Sequence, residues 1–240
     1  MASTSETGHA KNIANLNELN QINAGLTDYA PTNPLIMKPA MVLQHTNCST
    51  LQGIVNTQNG IFLPIRSARI AEFKPLKPLA RRIRSFAKSC GGAPGFYTNV
   101  NTVIKKILGD RVSNPVSTPD DPAGTSASQQ SYDNMVDHWD EMVEILKNEP
   151  AYTPNKVDLQ IVSLEAKQVA ITAKNNAVKA GVMPYNTAII NRNKALYTTK
   201  TGLVDVGQDS KDYVRSTYGF SSPEFKLVTK IKFRKLADVD

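Results

Sequence analysis

Apolar residues recur at threes and fours along most of the chain, and the pattern reads helix nearly everywhere. The clearest run is Tyr132, Met135, Val136, Trp139, Met142, Val143 and Leu146, an amphipathic helix whose opposite face carries Asp133, Asp137, Asp140, Glu141 and Glu144. Positions 13, 16, 19, 22 and 26 give a narrower stripe over 11–26, where many asparagines weaken intrinsic propensity and packing must hold the helix. Pro154-Asn155 opens a long helix to about Lys179, with Leu159, Val162, Ala166, Val169 and Ala173 as its buried stripe and Gly181 as its left-handed end. The matching stretch, 33–59, contains Pro39 and Gly53 and predicts a shorter or kinked helix.

After Pro64 and Pro184 a third helix is expected at 65–73 and 185–196, and a fourth at 78–90 and 204–217. A glycine- and proline-containing corner follows each fourth helix, at Cys90-Gly95 and Tyr218-Pro223, and then a final helix. Ser222-Pro223-Glu224 is a strong helix start: a capping hydroxyl, proline in the first turn, and an acid at the positive helix end. Only 201–206 and 227–233 have any β character, and both fit helix or loop.

The two halves repeat one pattern. A constant offset carries Ile13 onto Val136, Leu16 onto Trp139, Leu19 onto Met142, Ile22 onto Ile145, Tyr29 onto Tyr152 and Pro31 onto Pro154. With loop drift, Gly60 and Pro64 face Gly181 and Pro184, and Phe86, Gly92 and Ile104 face Tyr213, Gly219 and Ile231. The expected architecture is all-α: two tandem, degenerate copies of a four- to five-helix bundle. The boundaries are a mobile tail over 1–10, a first module over 11–110, a linker over 111–130 and a second module over 131–240. Three prolines with Ser, Thr, Asp and Gly mark the linker, which cannot bury enough apolar surface to fold.

Charge separates the halves. Residues 1–115 hold 13 Lys/Arg against 5 Asp/Glu, and the remainder 15 against 16, so the +7 total belongs to the first module. Eight cations lie between 66 and 88 (Arg66, Arg69, Lys74, Lys77, Arg81, Arg82, Arg84 and Lys88) against the single acid Glu72. Arg66 and Arg69 share one helical face, and Arg81, Arg84 and Lys88 another. Such a surface could hold phosphates with a steep salt dependence, or an acidic partner such as the 133–144 helix of another copy, or simply water. A second basic cluster is Lys226, Lys230, Lys232, Arg234 and Lys235.

Catalytic and metal chemistry finds little footing. Gly91-Gly92-Ala93-Pro94-Gly95 lacks phosphate-loop spacing and follows a helix rather than a strand, so a structural corner is expected. His45 and Cys48 could share a helical face, but two ligands do not make a zinc site. The acids of 133–144 lack the Glu-x-x-His pattern of di-metal bundles and face water. No nucleophile elbow occurs, and Cys48 and Cys90 read as free thiols in a reduced compartment. Residues 212–228 form a helix, glycine turn and helix, loosely like a DNA-reading element, but the second helix has few side chains for base edges.

The segments Ser131-Tyr-Asp-Asn, Thr201-Gly-Leu-Val-Asp-Val206, Ser221-Ser-Pro-Glu-Phe-Lys226 and Lys230-Ile-Lys-Phe-Arg234 resemble a group of duplicated helical-bundle proteins of the Bacteroidota. The resemblance covers 131–235 and more distantly 12–108, and implies no activity or site. The expectation is a non-catalytic structural or protein-interaction protein, a component of a larger bacterial or phage-type assembly. Self-association or a protein partner is expected, without cofactor, metal or membrane span, in the cytoplasm. The alternatives are a sequence-nonspecific nucleic-acid-associated protein using the 66–88 face, and an enzyme with a site between the modules.

Overall fold

The computed structural model describes residues 8–110 and 130–235. It is all-helical, with no strand among the described residues. In chain order the helices are α1 (His9–Gly25), α2 (Lys38–Phe73), α3 (Leu76–Ser89), α4 (Phe96–Leu108), α5 (Tyr132–Lys147), α6 (Ile161–Tyr197), α7 (Leu203–Tyr218) and α8 (Pro223–Thr229). Short 3-10 turns, Pro34–Ile36 and Val157–Leu159, precede the two long helices. No helix among these is long and apolar enough to cross a membrane.

Caps set several boundaries. Ser131 and Ser222 accept hydrogen bonds from the amides of Asn134 and Phe225, satisfying donors left open in the first turns of α5 and α8. Gly95 and Gly109, both left-handed, bracket α4, a conformation that costs a residue with a Cβ about 1–2 kcal/mol.

The chain divides into two compact units, and the division does not follow the halves. One unit joins the chain up to Ile61 with the chain from Val182 onward; the other is Phe62–Gly181. In the first, α1 packs against α7 and α8, and the turn Pro34–Ile36 against α7. Its core includes Leu16, Leu19, Met41 and Cys48 with Leu196, Leu203 and Val214. In the second, α3 packs on α4 and α4 on α5, with the turn Val157–Leu159 against α3. That core is built on Leu76, Ile83, Val100 and Ile104 with Trp139, Met142, Leu164 and Ile171. Modules at 11–110 and 131–240 are therefore not the compact bodies of the fold. The apolar pattern located the helices but carried no information about which helix faces which.

Three further expectations need correction. Pro64 and Gly181 were to separate helices, yet α2 runs through Gly53, Gly60 and Pro64, and α6 through Gly181 and Pro184. An interior proline loses one backbone bond and costs about 3 kcal/mol, yet both long helices continue through theirs. Phe62 Cδ2 lies 3.2 Å from where a Cβ of Gly181 would sit, so this glycine marks a close approach.

The buried stripe differs from the expected one: Leu159, in the turn before α6, is buried as expected, but the other four positions are not. Val162 and Val169 are 76% and 70% exposed and Ala166 and Ala173 are exposed, whereas Leu164, Ile171 and Val178 face the core. The helix carries two apolar stripes, and the one with the bulkier side chains turned inward, where the Trp139 indole donates to the Leu164 carbonyl at 3.2 Å.

Finally, the tail expected over 1–10 overlaps α1. His9 and Ala10 belong to α1, and His9 Nδ1 lies 2.8 Å from the Tyr197 hydroxyl. Residues 1–7 and 111–129 lie outside the described residues. The flanks of 111–129 belong to one unit: the Gln130 side-chain amide donates to the Lys106 carbonyl at 2.6 Å. The segment read as a connection between modules thus joins α4 to α5 within a single unit.

Candidate interaction surface

All eight cations of 66–88 lie in the unit Phe62–Gly181, but they do not form one face. Arg69 stacks over the Tyr132 ring at 3.7 Å and donates to Asn175 Oδ1 at 3.2 Å. Lys77 Nζ donates to the Leu108 carbonyl at 3.2 Å, closing the C-terminal end of α4. Arg82 forms a two-pronged pair with Asp158, which raises its own pKa and holds the aspartate below the usual carboxylate range. These three bind their own unit. The side chains of Arg66, Lys74, Arg81, Arg84 and Lys88 make no hydrogen bond or ion pair among the described residues. Three of the five, Arg81, Arg84 and Lys88, form a helical row along α3, where spacings of three and four align them.

Three of the five acids of α5 are similarly absorbed. Asp133 is held below the usual carboxylate range chiefly by Lys179, with Asn175 donating to it as well. Glu141 pairs with Lys106, and Lys147 bridges Glu144 and Glu165. The glycine corner has its own anion: Glu149 accepts from the amides of Ala93 at 3.0 Å and Ala151 at 3.1 Å. The Glu149 carboxylate stands where a phosphate would have to sit. His45 and Cys48 diverge, His45 toward Ser49 and Cys48 into the core with its thiol against the Ala195 carbonyl. No cluster of three His, Cys, Asp or Glu that could hold a metal occurs among the described residues.

Two surfaces escaped the sequence reading. The first is the outward stripe of α6 in the unit Phe62–Gly181: Val162, Ala166, Val169 and Ala173, spaced four, three and four. That alternation is the spacing of a helix seam, in which apolar positions average 3.5 residues apart. Two of the charges beside it are engaged inside the unit, Glu165 with Lys147 and Lys167 with Glu72 at 2.7 Å, while Lys174 next to Ala173 stays exposed. The periodicity was visible in the sequence; that it faces water was not.

The second is a clamp in the other unit. The extended segment 231–235 is held by its backbone. The Asn12 side chain donates to the Arg234 carbonyl at 2.8 Å and accepts from the Arg234 amide at 3.1 Å. Asn15 donates to the Lys232 carbonyl at 2.8 Å, and Lys211 Nζ to the Ile231 carbonyl at 2.7 Å. Burial pushes the Lys211 ammonium below its ordinary pKa. The Phe233 ring lies over Gly207, where a Cβ would come within 2.6 Å of it. The asparagines that weaken α1 as a helix are thus the groups that bind the segment, a role their composition alone did not reveal.

No family model, curated protein or solved structure matches the chain.

Proposed function

We propose that this chain is a non-catalytic protein-interaction protein, a component of a larger assembly, whose contact surface is the outward stripe of α6. The observation that carries the reading is the exposure of Val162 and Val169 on a helix whose periodicity asks for burial. Burying an aliphatic side chain of this size contributes about 1.5–3 kcal/mol, so a helix laid along the stripe gains from each contact. The occupant is the same stripe of a second copy. A seam of alternating three- and four-residue spacing fits a helix, and a two-fold-related copy presents an identical, uncharged one.

Duplication of one helical unit belongs to the same proposal. The Tyr29 hydroxyl donates to the Ile36 carbonyl at 2.8 Å, and the Tyr152 hydroxyl to the Leu159 carbonyl at 3.1 Å, each seven residues on. The 3-10 turn, the long helix with an interior proline and the two shorter helices follow in the same order in both halves.

Photo-crosslinking tests the reading. A benzophenone amino acid replacing Val169 in the full chain is expected to give a product of twice the chain mass. Unmodified monomer as the sole species, or a product of another mass, overturns self-association through this stripe.

A second reading rests on the α3 row. Among the described residues Arg81, Arg84 and Lys88 are unpaired cations on one face, suited to sequence-nonspecific contact with nucleic-acid phosphates. Arg81→Glu with Arg84→Glu is then expected to abolish salt-sensitive nucleic-acid binding with helicity intact; unchanged affinity ends the idea.

A further inference from the structure

We infer that the two halves of the chain are each other's binding partners, and that neither closes a core without the other. Each compact unit takes one piece from each half: α1 and the start of α2 stand with the end of α6, α7 and α8, while the end of α2, α3 and α4 stand with α5 and the start of α6. This does not depend on the proposed function or on common descent of the halves.

The bonds crossing between halves are specific in both units, buried at the centre of the first and half-buried to exposed in the second. In the first, Ser210 receives the Asn23 side-chain amide at 2.9 Å and lies 2.9 Å from the Tyr29 hydroxyl, at the centre of the core. Asn12 and Asn15 hold 232–234, and Gln44 donates to the Ala195 carbonyl at 3.1 Å. In the second, Glu149 receives the Ala93 amide, Glu72 pairs with Lys167, and Lys106 pairs with Glu141. The fully buried Ile83, Val100 and Ile104 of one half meet Trp139, Met142 and Leu164 of the other.

The covalent link between halves, 111–129, starts and ends in one unit, with Gln130 bonded to Lys106. The partner each half fits is therefore a complementary half-length chain. It offers an apolar helix face and backbone carbonyls for buried asparagines, and covalent continuity supplies only effective concentration.

The experiment uses the full chain with a specific protease site placed within 111–129, cut after folding. Two fragments on a denaturing gel are expected to co-elute at the mass of the uncut protein under native conditions. Unfolding of the cut protein becomes bimolecular, so its midpoint falls by about 3–6 °C per tenfold dilution beyond any dependence shown by the uncut chain. Separation into two independently folded fragments, precipitation of either on cutting, or a midpoint no more concentration-dependent than that of the uncut chain overturns the inference. The stripe variant Val162→Glu with Val169→Glu, cut the same way, removes self-association from the comparison. It is expected to behave identically, and fragments that separate in this background alone also overturn it.

Discussion

Tyr29 sets its ring edge-on against Tyr213, with centroids 5.2 Å apart and planes at 81°. In the other unit Tyr152 meets Phe86 at 5.2 Å and 88°. Each pair brings together one ring from each half, and each tyrosine spends its hydroxyl on a carbonyl seven residues ahead. The Tyr29 hydroxyl also reaches Ser210, so its removal orphans more buried polar atoms than removal of the Tyr152 hydroxyl. Tyr29→Phe is expected to cost about 2–3 kcal/mol and Tyr152→Phe about 1–2 kcal/mol in urea unfolding. Equal costs would show that Ser210 adds nothing.

The Asn12 clamp makes two bonds to Arg234 with one side chain. Asn12→Ala removes both half-buried bonds to the Arg234 backbone, a loss of about 1–2 kcal/mol. Amide hydrogen exchange at Arg234 is expected to accelerate selectively, while exchange in α4 and α5 stays as it was. Uniform acceleration through both units would mean that the clamp supports the whole fold.

The thiols should differ. Cys48 is fully buried and burial pushes its pKa up to about 11, whereas Cys90 is partly accessible. Since the thiolate is the reacting species, one equivalent of alkylating reagent is expected to couple to the native protein at neutral pH, at Cys90. The second couples only in denaturant. Two fast equivalents would contradict the packing of α2 around Cys48.

Two histidines give the fold an acid sensitivity. Burial lowers the pKa of His9, with Arg192 adding to the effect, and burial then Lys106 lower that of His138, against the opposing pull of Glu141 and Asp137. Both imidazoles are favoured neutral when folded, so the unfolded chain binds more protons below about pH 6.5. Their contribution is fully present above that value and is lost as the pH falls through it. Thermal midpoints are expected to drop between pH 7.5 and 5, and less so in His9→Gln with His138→Gln. An unchanged slope in that variant would assign the acid sensitivity to other groups.

How far the fold was legible depended on the kind of information. The helix at Tyr132–Lys147 announced itself through Trp139, Met142 and Leu146, which pack where the period puts them. Pro64 and Pro184 misled because a breaker reads locally as a terminus, whereas the helices of 36 and 37 residues continue through them. The pairing of α1 with α7, not with its own half, rests on shape and on bonds such as Asn23 to Ser210, which leave no periodic trace. For the candidate surface, composition counted eight cations but could not see that Asp158, Asn175 and the Leu108 carbonyl occupy three of them. On α6 the spacing of Val162, Ala166, Val169 and Ala173 was plain, and only the packing of Leu164 and Ile171 decided that it faces outward.

The most direct measurement is light scattering on the full chain across a range of concentrations, for the natural sequence and for Val162→Glu with Val169→Glu. The natural chain is expected to pass from 26.2 kDa to twice that mass as concentration rises, and the variant to stay at 26.2 kDa with unchanged helicity. A natural chain fixed at 26.2 kDa throughout, or a variant that still doubles, contradicts a self-contact through this stripe.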